Sequence, residues 1–273
     1  MAKAPLMAPP PTAAPPVAKP PEKQTASSIA NKFKPPSKTI APQKIMLLAV
    51  EGWGKTTIGA SIPNTAILMP ETETGYNTLY AKGRVPKRDA QVTTTWKETL
   101  DALDTLKGYD ALTLDELSGF ETQCFEHIRK TEKNLNTWEK FDNYGKGARN
   151  AAKGEWKKFL AKLESLNIMI MALCHCEVGH FDGVDTEGYS LYTASLNKKI
   201  WHGCKRWANA VFFGTFDVIA DDGKVMSNDA DRVLYTEHRP THPAKNQYGM
   251  KTEIQMGKDP AAMWDIIHSA MGI

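Results

Sequence analysis

The chain has 273 residues, a net charge of +3 and four cysteines, enough length for one large domain or two small ones with a sizeable core. The charge is uneven: residues 1–44 hold seven Lys and one Glu, a balance of +6, so the remainder carries −3. That excludes a generally basic nucleic-acid-binding body and confines any DNA contact to local patches or the tail. No apolar run suits a signal peptide or a bilayer span, so the expectation is a cytoplasmic, reduced protein without membrane contact.

Eleven of the seventeen prolines precede Gln43, mixed with Ala, Lys, Ser and Thr. Such a segment buries too little apolar surface to offset the entropy of ordering, so residues 1–43 read as a disordered, partly polyproline-like tail and 44–273 as the folded domain. A transit peptide is the alternative for this acid-poor stretch, against which stand the absence of Arg and the abundance of Pro.

From Lys44 short apolar strands alternate with amphipathic helices. Strands are predicted at 45–50, 65–69, 110–115, 168–174 and 210–216. Helices follow from the spacing of Trp96, Leu100 and Leu103, of Phe120, Cys124 and Ile128, and of Trp156, Leu160 and Leu163. The alternation predicts an α/β fold, a mainly parallel sheet flanked by helices on both faces. Asp221-Asp222-Gly223 reads as a hairpin turn, 232–236 as a strand and 260–271 as a closing helix.

The first strand runs into Ala49-Val50-Glu51-Gly52-Trp53-Gly54-Lys55-Thr56-Thr57, the strand–loop–helix setting of a phosphate-binding P-loop. Small residues let backbone N–H groups wrap phosphates at a helix N-terminus. Gly52 and Gly54 meet that need, Lys55 would reach the β and γ phosphates of ATP, Thr56 would ligate Mg²⁺, and Thr57 can add a contact to the α phosphate. Glu51 and Trp53 complete the nucleotide-binding turn. Ala49 stands where G-x-x-x-x-G-K-[ST] has its first Gly, so it takes φ below zero or carries strain.

Leu112-Thr113-Leu114-Asp115 is an apolar strand ending in a carboxylate, a Walker B arrangement that would make Asp115 the second Mg²⁺ residue. Three acids compete to orient or deprotonate the attacking water: Glu116 beside it, and Glu71 and Glu73 past the second strand. Glu73 is preferred, because a strand end facing the P-loop suits a catalytic acid. Cys174, His175, Cys176, His180, His202 and Cys204 form a possible zinc cluster, yet no C-x-x-C pair occurs and Cys174 closes an apolar strand, so buried structural thiols are the better reading.

The ordered motifs EGWGKTT, PETETG, ALTLDELSGFE and NYGKGARNAAKGEWKKFLAKLESLNIMIMALCH together resemble the phage-encoded RecA-like ATP-binding proteins, the AAA-type family that includes single-strand annealing ATPases. The match covers roughly residues 44–250. It implies a RecA-like P-loop NTPase core that binds single-stranded DNA and uses ATP in recombination or annealing, often as a homo-oligomeric ring or filament, in the bacterial host cytoplasm if phage-encoded. By the same resemblance Lys55, Thr56 and Asp115 match the P-loop and Walker B residues, Glu73 the catalytic glutamate, and His175 the polar sensor that leads into a mobile DNA-binding loop.

The segment 177–195 holds Gly179, Gly183 and Gly188 with Phe181, Tyr189 and Tyr192, and reads as a mobile loop offering aromatic faces to bases or as a plain surface loop. Basic charge concentrates elsewhere: residues 129–162 hold ten basic and four acidic side chains, and Lys198, Lys199, Lys205 and Arg206 follow. Ala244-Lys245-Asn246-Gln247-Tyr248-Gly249 is similar to the K-N-R-[FY]-G segment of RadA-like ATPases, which implies that Lys245 reaches a neighbouring subunit's nucleotide, with Gln247 in place of the Arg. A DNA-dependent ATPase is therefore the leading reading. A slow nucleotide-binding switch or scaffold that recruits replication or recombination partners is the alternative. A small-substrate kinase is disfavoured, since Arg is scarce near the expected crevice.

Overall fold

In the computed structural model, which describes residues 41–131, 146–182, 187–217, 220–221, 224–225 and 231–273, the first strand, β1 (Lys44–Ala49), is buried along almost its whole length. Its alternate side chains feed two different cores. Ile45, Leu47 and Ala49 pack on one face with Ile58, Trp264 and Ile267. Met46 and Leu48 pack on the other with Trp96, Phe120, Trp156 and Trp201. A strand apolar on both sides must lie inside a sheet covered by helices on both faces.

The other strands of this sheet are β2 (Thr65–Pro70), β3 (Ala90–Thr93), β4 (Ala111–Leu114), β5 (Met169–Phe181), β6 (Tyr189–Ala194), β7 (Ala210–Phe216), β10 (Arg232–Tyr235) and β11 (Glu253–Gly257). Spatially the order is β3-β2-β4-β5-β1-β7-β10-β11, with β6 paired to β5. Pairing is parallel from β3 to β7, and β10 and β11 run antiparallel at one edge. The small pair β8 (Ala220–Asp221) and β9 (Lys224–Val225) is antiparallel. The mainly parallel sheet flanked by helices that the sequence leads one to expect is the one observed.

The helices are α1 (Lys55–Ser61), α2 (Gly75–Ala81), α3 (Trp96–Thr105), α4 (Leu117–Thr131), α5 (Lys146–Ser165), α6 (Lys198–Trp207) and, after a 3₁₀ turn at Pro260–Ala262, α7 (Met263–Met271). Local chemistry sets several of their starts. The Thr95 hydroxyl accepts from Glu98 N, while the Glu98 carboxylate accepts from Thr94 N at 2.8 Å, a reciprocal cap. Asn197 caps α6 by accepting from Lys199 N. Trp96 on α3 stacks against Trp156 on α5, centroids 5.7 Å apart.

One expectation is corrected. The segment 177–195 is not a loop throughout: β5 continues to Phe181 and pairs antiparallel with β6, placing Val178 opposite Tyr192 and Phe181 opposite Tyr189. The Phe181 and Tyr189 rings meet at 5.3 Å. Cross-strand aromatic and β-branched pairs of this kind stabilise a ribbon despite its glycines. The tip, 183–186, lies outside the described residues, as do the expected tail over 1–40 and the hairpin residues 222–223. Among the described residues no helix is long and apolar enough to cross a membrane.

Glu121 joins α4 to the start of α6, its carboxylate accepting from Asn197 N at 2.8 Å. Burial, with Glu116 and Glu177 nearby, pushes its pKa up to about 7 although that hydrogen bond opposes the shift. A carboxyl raised in the folded state binds more protons folded than unfolded, so it lowers stability as pH rises from its ordinary value towards 7. Glu121→Gln keeps the acceptor and removes the charge. Its Tm is expected to exceed that of the wild type at pH 8, with the gap closing towards pH 4.5 in a thermal-shift series.

Candidate functional site

Because β1, β2, β4 and β5 are parallel, their C-terminal ends meet along one edge of the sheet, the place where open α/β sheets bind ligands. The turn after β1 carries Gly52 at φ 71° and Gly54 at φ 112°, left-handed values that favour glycine. A Cβ on Gly54 would also lie 2.8 Å from Pro260. Ala49 is the last residue of β1, buried, and paired with His175 on one side and Gly214 on the other. Among the described residues the non-glycine left-handed positions are Asn64 and Asn167, so Ala49 takes the ordinary backbone of the two expected alternatives.

Lys55, the first residue of α1, folds back over the turn and donates to Ala49 O at 3.0 Å. Burial lowers its pKa, opposed by the neighbouring thiols and by Asp115 and Glu116. The Thr56 hydroxyl hydrogen-bonds Asp115, whose pKa burial raises to about 6. Asp115 is only 3 % exposed. A hydroxyl and a carboxylate in contact beside a phosphate-binding turn form an oxygen donor set that fits Mg²⁺.

The three competing acids occupy different places. Glu71 is exposed and does not line the cleft. Glu116 is buried but committed: its carboxylate accepts from Ser118 Oγ, from Gly119 N at 3.2 Å and from His175 N at 3.3 Å. It therefore caps α4 and ties β4 to β5. Glu73 faces the cleft, with Oε1 4.0 Å from His175 Nε2. Burial, then the charges of Asp115 and Glu116, raise its pKa, with His175 and Lys55 opposing.

These side chains open onto a cleft of about 520 Å³. Gly52, Gly54, Lys55, Thr56, Thr57, Glu73, Asp115 and His175 line it as expected, joined by Leu79, Arg84, Arg232, Asp259, Pro260 and Ala261. The two arginines correct the expectation that Arg is scarce at the crevice. Arg232 is bound to the P-loop itself, Nε donating to Trp53 O at 2.7 Å and a second nitrogen to Lys258 O at 2.5 Å. No local motif marks these residues, because β10 and the 3₁₀ turn reach the P-loop only through the tertiary fold.

Three predicted residues sit elsewhere. The Trp53 side chain is fully buried beside Gly214 and donates to Thr215 O at 2.8 Å, so it anchors the turn from below. Glu51 is exposed and off the cleft. Lys245 is not brought to the cleft of its own chain: its ammonium donates to Ala208 O at 2.5 Å and Lys205 O at 3.3 Å, while its backbone bridges to Val211. That position is at the N-terminal end of β7, across the sheet from the P-loop. Cys124, Cys174 and Cys204 are buried as expected, and burial raises each thiol's pKa.

A protein-family model described as an AAA domain matches residues 41–248. The chain belongs to the AAA-domain family. No curated protein matches it. Among solved structures, the AAA-domain chain is similar to the KaiC-like protein of the hyperthermophilic archaeon Pyrococcus horikoshii OT3, at 10% identity and a TM-score of 0.43, over 81% of this chain and 88% of that one. The AAA-domain assignment and the P-loop geometry agree on an ATP-binding fold.

Proposed function

We propose that the protein is a Mg²⁺-dependent ATPase whose turnover is coupled to single-stranded DNA, serving recombination or annealing as a homo-oligomer. The observation that carries the reading is the convergence of Lys55, the Thr56–Asp115 pair, Glu73 and His175 on one cleft. Thr56 and Asp115 would hold the metal, which would supply charge neutralisation on the phosphate oxygens. Lys55 leaves the Ala49 carbonyl for the β and γ phosphates. Glu73, with its raised proton affinity, takes the proton of the attacking water. His175 lies beside Glu73 on the strand that continues into the β5–β6 ribbon, which gives loss of the γ phosphate a mechanical route to the surface.

The test is the ATP hydrolysis rate with and without single-stranded DNA, with Lys55→Ala as the blank. DNA-stimulated turnover that the variant loses is the expected result. Tight ATP binding with no response to DNA would replace this reading with the switch or scaffold.

A further inference from the structure

The two basic stretches of the sequence come together in space. Helices α5 and α6 pack side by side, and between them lies a groove of about 440 Å³ lined by Lys153, Lys157, Lys199 and Arg206 over an apolar floor of Trp156, Leu160, Ile200 and Trp207. Lys153 and Lys157 are one turn apart on α5, and Lys199 and Arg206 share a face of α6. All four are exposed, and among the described residues none has a carboxylate partner. The contrast with their neighbours is specific: Lys158 is paired with Glu155 at 2.9 Å and Lys162 with Asp104 at 2.6 Å, both outside the groove. The one acid in the lining, Glu164, is already neutralised by Lys44 at 2.6 Å. The half-buried Trp207 in the lining has an indole N–H with no acceptor among the described residues.

We infer that this groove is a binding site for single-stranded nucleic acid. Four cations without a carboxylate partner among the described residues, along an apolar groove that includes the half-buried Trp207, match a chain that alternates phosphates with planar bases. A furrow between two adjacent helices is too narrow for a duplex. Residues 1–44 carry +6, the same sign as the groove, so charge complementarity favours an anionic occupant from another molecule. The inference rests on the DNA-coupled reading above and gives it a surface, on the helical face of the sheet rather than on the β5–β6 ribbon.

The test is binding of a fluorescein-labelled oligothymidylate to the full-length protein by anisotropy over a salt series. Lys153→Glu/Lys157→Glu is compared with Lys158→Glu/Lys162→Glu, an equal charge change on the same helix outside the groove. The groove variant is expected to lose at least tenfold in affinity. Its log–log salt slope should be shallower by about 1.4, at roughly 0.7 per phosphate contact on single strands. The control is expected to lose far less. Equal loss in both variants, or none in the groove variant while the wild type binds, overturns the groove and leaves the DNA-coupled reading standing. No binding by the wild type overturns both. Binding of poly-glutamate in place of the oligonucleotide, lost in the groove variant, reassigns the groove to an acidic peptide.

Discussion

Glu73→Gln is expected to lower the ATP turnover number by about 10²–10⁴-fold, the usual contribution of a positioned general base, while ATP affinity and Tm stay near those of the wild type. The side chain touches the cleft, not the core, and the amide keeps its size while losing its basicity. Glu116→Gln is the matched comparison. Its carboxylate accepts from Ser118, Gly119 N and His175 N, and an amide nitrogen in place of either oxygen would face donors. That leaves buried donors unmet, at about 1–3 kcal/mol each, so this variant should lose Tm before it loses chemistry. The reverse pattern, with turnover lost in Glu116→Gln at full stability, would move the base to Glu116. The pH profile carries the same assignment. Asp115 must be ionised to hold the metal, and with its pKa raised to about 6, Mg²⁺-dependent ATP affinity should weaken as pH falls below about 6. Burial, with Asp115 and Glu116 nearby, raises Glu73 too, so the acid limb of turnover should be displaced upward from the ordinary glutamate value.

The sequence makes the central parallel strands legible because they hold short apolar runs that stop at chemistry: β1 at the P-loop, β4 at Asp115, and the buried part of β5 at His175. Their parallel register needs no side-chain signal beyond the intervening helices. What stays hidden has local causes. Gly179 breaks the alternation of β5, so the ribbon with β6 shows only when Val178 meets Tyr192 across the pair. The edge strand β3 is only four residues long and three of them are exposed, which leaves little apolar pattern to read. The preference for Glu73 over Glu71 and Glu116 acquires its physical basis in three dimensions, where Glu71 is off the cleft and Glu116 is held by Ser118, Gly119 and His175. Arg84 and Arg232 are distant from every motif, and their place in the cleft is a property of the fold. The basic stretches are visible as composition, but the pairing of Lys158 with Glu155 and of Lys162 with Asp104 is a property of the fold.

Trp53→Ala should be the most destabilising single change near the site, at about 3–5 kcal/mol for removing a large buried aromatic, read as a Tm lower by roughly 6–20 °C. The indole is 0 % exposed and so close to Gly214 that a Cβ there would come within 2.5–2.7 Å of its ring. Its N–H reaches Thr215 O on β7, and its carbonyl accepts from Arg232 on β10. One residue between the two left-handed glycines thus pins the phosphate-binding turn to two strands of the sheet. Trp53→Ala keeps the carbonyl bond to Arg232 but loses the indole's hold on β7, so the turn must order more of its own N–H groups at the moment of binding, and ATP affinity should fall at least tenfold, about 1.4 kcal/mol, in protein that is still folded at the assay temperature. Trp53→Phe separates packing from the hydrogen bond: it keeps most of the buried volume and removes the bond to Thr215 O, a cost of about 0.5–1.5 kcal/mol. If Trp53→Ala binds ATP as tightly as the wild type while its Tm falls, the indole serves the core alone. The affinity of the phenylalanine variant then measures how much of the turn's order comes from the single bond to Thr215.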